Sequence, residues 1–157
     1  MIYLEAINAF EENILLDIKG LRQCGGDDET VSFTVAGMLT SSEGKYVIAY
    51  EDEHSGEDGA HTEITVEDDS VSMIRTGESS TDMYFKRNTP YSSCYRTPFG
   101  DLDLTVLPTL VKTDMGPKNG SIELEYILNI AGSQIVNKLQ LSYKKEDGIF
   151  RPEGESV

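Results

Sequence analysis

A two-residue period runs through most of this chain. In SIELEYILNIA, residues 121–131, Ile122, Leu124, Tyr126, Leu128 and Ile130 form one series, and Ser121, Glu123, Glu125 and Asn129 form the other. In QIVNKLQLSYK, residues 134–144, Ile135, Leu139, Leu141 and Tyr143 oppose Lys138, Gln140, Ser142 and Lys144. Successive side chains of a strand point to opposite faces, so this alternation predicts strands with one buried and one wet face. The same period predicts strands over about 12–19, 30–40, 45–51, 61–67, 71–76, 81–87, 92–97 and 101–111. The chain therefore reads as all-β, with about ten strands and hardly any helix.

Short turn signals separate these segments: EDDS at 67–70, GESS at 77–80, KNG at 118–120 and AGS at 131–133. Links this short join antiparallel neighbours, which makes the order a meander. A meander with one apolar face must hide that face and its two edges. Closing into a barrel of about 8–10 strands does both. A two-sheet sandwich would need a long crossover connection that the sequence does not provide.

YRTPFGDLDL, residues 95–104, looks at first like a motif. Thr97 precedes a proline and is pushed toward extended geometry. Pro98 carries the fixed φ that suits a turn, and Gly100 accepts the left-handed conformation that ends a three-residue hairpin in a bulge. Leu102, Leu104 and Val106 then resume the alternation. TPFG is thus expected to be a hairpin corner, with Phe99 set over one end of the barrel.

The ends differ from the body. Ile2, Ala6 and Phe10, with Tyr3 and Ile7 beside them, recur at helical spacing, so residues 1–11 read as an extension, a frayed segment or a short helix docked as a lid. Residues 12–144 are the barrel domain. The rest, 145–157, is a polar tail.

Composition narrows the partners. Lys+Arg 13 against Asp+Glu 28 gives a net charge of −15. Phosphate backbones and anionic membranes call for the opposite sign, so neither nucleic acid nor membrane is expected. Residues 1–12 lack the basic start and apolar stretch of a secretory signal, and no apolar run reaches the roughly 20 residues of a span. With only Cys24 and Cys94 and no CxxC, the expectation is a reduced, cytoplasmic protein without structural zinc.

Catalytic signatures are missing: no GxSxG, P-loop or GxGxxG occurs. His54 and His61 sit seven apart in EDEHSGEDGAHTE, residues 51–63, which departs from the calcium-loop pattern and reads as a solvated hairpin loop. Cys94 has no base beside it to make it a nucleophile. No catalytic residue, metal site or cofactor is predicted.

A resemblance rests on order and spacing. Met73-x-Arg75-x-Gly77, Met83-x-Phe85, Tyr95-x-Thr97-Pro98-Phe99-Gly100-x-Leu102-x-Leu104, then Gly120-x-Ile122-x-Leu124-x-Tyr126-x-Leu128 and Gly132 are similar to the YwiB-like bacterial proteins. The similarity covers about residues 12 to 144. It implies a calycin-like, lipocalin-type β-barrel in a family without an established biochemical role. It brings no catalytic residues with it.

Two functional expectations follow. In the first, the barrel is a cup for a small hydrophobic or amphipathic molecule. Tyr50, Met83, Phe85, Tyr95 and Tyr126 line it, from a set of inward residues that also includes Tyr46 and Tyr143. Arg75, on the apolar side of VSMIRT, either grips a ligand carboxylate or phosphate or closes the barrel floor through carboxylate and carbonyl bonds. In the second, the barrel is a filled, non-catalytic interaction module. Its outer acids Glu63, Glu67, Glu123 and Glu125 then face a basic protein.

Overall fold

A computed structural model of the chain describes residues 10–52 and 60–146. It contains ten strands: β1 (Phe10–Cys24), β2 (Asp27–Ser42), β3 (Lys45–Glu51), β4 (His61–Glu67), β5 (Ser70–Thr76), β6 (Thr81–Lys86), β7 (Tyr91–Thr97), β8 (Gly100–Asp114), β9 (Asn119–Ile130) and β10 (Ser133–Lys145). All pairings are antiparallel, in the spatial order β6-β5-β4-β3-β2-β1-β10-β9-β8-β7. The first and last strands form a full ladder, from Ile14 opposite Lys145 to Gln23 opposite Val136. The sheet therefore curls on itself and brings its outer strands β6 and β7 together.

That seam is where the barrel stays nearly rather than fully closed. Among the described residues one backbone bridge spans it, Ser80 with Arg96, with N–H to carbonyl distances of 2.8 and 2.9 Å. Side chains supply the rest. The Asp82 carboxylate accepts hydrogen bonds from Tyr91 Oη at 2.7 Å and from Ser93 Oγ. Tyr84 meets Tyr91 with ring centroids 5.9 Å apart. Asp82 and Tyr84 alternate with the inward Met83 and Phe85, whereas Tyr91 and Ser93 lie opposite Val106 and Leu104 of the inner face. Directly opposed residues share a face, so the outer row of β6 meets the inner row of β7. The two edges overlap instead of abutting.

Type I′-like hairpins, with both central residues at positive φ, explain three of the tight links. These are Gly25–Gly26, Glu43–Gly44 and Ala131–Gly132. The TPFG corner is tighter than the sequence suggests: Thr97 lies opposite Gly100, leaving only Pro98 and Phe99 between the strands. Thr97 Oγ1 donates to Gly100 O at 2.7 Å and accepts from Phe99 N at 3.1 Å. Phe99 is 99 % exposed, so it does not cover the barrel end. A two-residue loop turned outward has no interior side chain to offer.

One boundary also moves. Phe10 and Glu11 belong to β1, opposite Ser41 and Thr40, rather than to the extension. Phe10 therefore follows strand and not helical spacing. The helix expected earlier in the chain, the polar tail after Glu146 and His54 lie outside the described residues. In β8, the register slips between Pro108 and Leu110. Proline has no N–H for a ladder, and a bulge accommodates it. Thr109 Oγ1 donates to Glu125 O at 3.1 Å, which satisfies a carbonyl beside the slip.

Burial is uneven along the barrel axis. One end carries the links 43–44, 68–69, 87–90 and 115–118, and it is closed. Tyr143 Oη donates to Gly116 O at 2.6 Å and accepts from Gly116 N at 3.1 Å. Ile14, Leu16, Leu39, Ile48, Ile64, Val71, Phe85, Val106 and Leu124 fill the space above it, each at 1 % exposure or less. The other end carries the links 25–26, 77–80, 98–99 and 131–132. There the inner row becomes wet: Val31 is 52 % exposed and Leu102 38 %. We call this end the mouth.

Candidate functional site

Two polar rungs cross the inner face toward the mouth, each made of residues that the register sets directly opposite one another. The first runs Thr81, Arg75, Thr62, Tyr50 across β6, β5, β4 and β3. Asp52, two positions beyond Tyr50, is pulled inward where its N–H donates to Ala60 O at 2.8 Å. Its Oδ2 accepts from Arg75 Nη1 at 2.5 Å, and Asp52 itself is 8 % exposed. Burial raises the Tyr50 phenol above its ordinary value, while a Thr62 hydrogen bond and the Arg75 charge pull the other way and Asp52 adds to the rise. Arg75 therefore has a protein carboxylate as a partner, but it stands toward the mouth and not at the barrel floor where the closure reading set it. Thr81 Oγ1 is buried and makes no hydrogen bond among the described residues.

The second rung runs Glu29, Arg22, Asn137, Tyr126, Pro108 across β2, β1, β10, β9 and β8. Arg22 Nη1 stands 3.7 Å from Glu29 Oε1, a loose pair with both side chains at least half exposed. Asn137 Nδ2 is buried without a hydrogen-bond partner among the described residues. Burial pushes the Tyr126 phenol up to about 12, opposed by the Arg22 charge. Beside this rung lies Gly20, where an added Cβ would meet nothing nearer than Lys138 O at 4.0 Å. Gly20 borders a hollow of about 200 Å³. It is lined by Arg22, Glu29, Val31, Tyr126, Asn137 and Leu139, together with Gly20 and outer-row neighbours.

The six residues singled out from the sequence all belong to the inner face, but they do not form one pocket. Tyr50 and Arg75 share the first rung with Asp52. Phe85 is fully buried and packs edge-on against Tyr126, ring centroids 4.8 Å apart. Met83, opposite Met73, packs against the core beside Phe85. Tyr95 lies on β7 opposite Leu102 of the mouth. Of the six, Tyr126 alone lines the hollow. The middle of the barrel is occupied by side chains, and the hollow lies toward the mouth.

Sequence reading missed Gly20, Arg22 and Asn137. A signal was present: each continues an apolar every-other-residue series, after Ile18 in β1 and between Ile135 and Leu139 in β10. A glycine or polar residue at such a position marks a gap or a donor in the inner row. Two features lie apart from the rungs. His61 Nδ1 sits 2.5 Å from Glu51 Oε2, opposite it in the ladder. No group of three or more His, Cys, Asp or Glu among the described residues converges as metal ligands do. Cys24 and Cys94 are both free thiols.

Known proteins share this barrel. The family model described as a domain of unknown function, DUF1934, matches residues 16–142. The chain belongs to this family. The match runs from Leu16 in β1 to Ser142 in β10 and so spans both rungs. Among curated proteins, the uncharacterized beta-barrel protein YwiB of Bacillus subtilis strain 168 is 23 % identical over 125 residues. That stretch covers 79 % of this chain and 87 % of YwiB. The crystal structure of the ywiB protein from Bacillus subtilis superposes with a TM-score of 0.79 at 21 % identity, over 90 % of this chain and 98 % of that one. The shared architecture is the ten-stranded, nearly closed barrel. Among the described residues no helix is long and apolar enough to cross a membrane.

Proposed function

We propose that the protein binds a small, partly apolar molecule at the barrel mouth. The observation that carries this reading is the hollow beside Gly20, which is lined by Arg22, Asn137 and Tyr126 together with the apolar Val31 and Leu139. Binding sites combine apolar walls with a few placed polar groups, and this hollow has both. Its volume of about 200 Å³ sits below the roughly 300 Å³ where drug-sized sites begin, so the occupant is a small metabolite. The cup expected to reach down to Phe85 becomes a shallower one, because Phe85 and Tyr126 occupy that depth themselves.

The interaction-module reading has weaker support. Three of its four outer acids lie opposite bases: Glu67 faces Lys45, Glu123 faces Lys112 and Glu125 faces Lys138. Such alternation does not build a single-sign surface for a basic partner.

A fragment screen of the full chain by ligand-observed NMR tests the reading, with Gly20→Val as the control. Hits that compete for one site and vanish in the Gly20→Val protein are expected. A screen without hits, or hits indifferent to Gly20→Val, overturns it.

A further inference from the structure

The donors around the hollow share one character. Arg22 can only donate, Asn137 turns an unpartnered Nδ2 into a buried position, and Tyr126 carries a hydroxyl. They are consecutive on one rung, so neighbouring Cβ atoms are about 5 Å apart. We propose that this rung is a carboxylate site: it holds a small monocarboxylate whose apolar body lies against Val31, Leu139 and the Tyr126 ring. The inference rests on the mouth being a small-molecule site and specifies the chemical class that the mouth takes.

The physical case starts from the mismatch of donors and acceptors. Buried donors without acceptors are rare in folded proteins, and each such group asks for an explanation. A carboxylate is acceptor-only, with about four lone-pair positions on two oxygens, and it matches a guanidinium fork geometrically. The Tyr126 phenol, pushed up to about 12, keeps its proton at neutral pH and remains a donor there. Among the described residues, Glu29 is the only acid lining the hollow. Its 3.7 Å contact with Arg22 is long, and its side chain is 73 % exposed. The guanidinium can therefore turn to a ligand while Glu29 moves into water. The same Glu29, and a chain charge of −15, disfavour polyanions such as phosphorylated metabolites. One negative charge is what the local donors match.

Space agrees with chemistry. Gly20 leaves the inner row empty for one side chain, and the hollow of about 200 Å³ admits one ring or a short branched chain. A longer body would meet the Phe85–Tyr126 contact below.

Two probes of equal size test the class: benzoate, and its neutral counterpart benzamide. Each is titrated into the full chain by amide NMR and by calorimetry. Benzoate is expected to perturb Gly20, Asn137 and Leu139 and to bind at least roughly tenfold tighter than benzamide, as a charge-assisted contact implies. Arg22→Gln, at a half-exposed position, is expected to abolish that preference. Asn137→Leu is expected to weaken benzoate several-fold while the melting temperature holds or rises, because an unpaired buried donor is removed. Equal affinities for the two probes in the unmodified chain overturn the carboxylate assignment and leave the mouth reading intact. The same holds if neither probe binds while other fragments compete for the hollow. If neither probe binds and the fragment screen is blank, both readings fall. Should Gly20→Val misfold, Arg22→Gln alone still decides the class.

Discussion

Gly20 and Gly120 are both inner-row glycines in strands, and their surroundings are opposite. A Cβ at Gly120 would stand 2.5 Å from Tyr143 Oη, 2.6 Å from its Cε2 and 2.7 Å from Asp114 O. Close approach of Tyr143 to the backbone is what seals the closed end, so Gly120 is required there. Gly120→Ala is expected to lower stability by about 1–3 kcal/mol, the usual range for overpacking. Gly20→Ala meets no such contact. It is expected to be neutral or to stabilise by up to about 1 kcal/mol, because glycine is costly inside a strand. Urea unfolding of the two variants checks the contrast, and equal losses would contradict it. Sequence alone could not separate these positions. Both are glycines within an alternating run, and only the neighbour across the ladder differs.

At the scale of elements, the seam between β6 and β7 is the feature on which closure depends. Its backbone bridge is supplemented by the Asp82 carboxylate, held below its usual range first by the Ser93 hydroxyl and then by the Tyr91 phenol. A carboxyl with a depressed folded pKa stabilises the fold above its unfolded value of about 3.9, and that contribution is lost as pH falls through the folded value. Asp82→Asn is therefore expected to lower the melting temperature at pH 7 and to flatten its decline below about pH 4. A variant that loses stability equally at all pH values would assign Asp82 a purely steric role. The seam was invisible beforehand because β6 and β7 are consecutive in sequence, which makes a ladder between them the simplest expectation. Their edges overlap instead, and only the contacts of Asp82 and Tyr84 with inner-row residues of β7 show it.

For the whole molecule, the phenols respond together. Burial holds Tyr126 up to about 12 and raises Tyr50 and Tyr143; an Asp82 hydrogen bond raises Tyr91. A raised folded pKa means that the protonated phenol is favoured by the fold. The linked stability is fully present below the unfolded value of about 10 and is lost as pH climbs toward the folded values. Spectrophotometric titration should show tyrosine ionisation continuing above pH 10 as these four phenols lose their protons, together with unfolding. All eight tyrosines ionising together near pH 10 with an unchanged urea midpoint would be the contrary result. Net charge acts in the same direction at high pH, since every tyrosinate adds to a chain already at −15.

The amino-acid order by itself determined the strands, their antiparallel succession and the curl into a barrel, because side-chain alternation and short links are local properties. It also placed Tyr50, Arg75, Met83, Phe85, Tyr95 and Tyr126 on the inner face, since a period of two assigns faces without knowledge of neighbours. Which inner residues stand level was decided only by tertiary structure, because register links positions more than a hundred residues apart, such as Arg22 and Asn137. Register set Phe85 against Tyr126, gave Arg75 to Asp52 and gathered Gly20, Arg22 and Asn137 around an opening that no single segment describes.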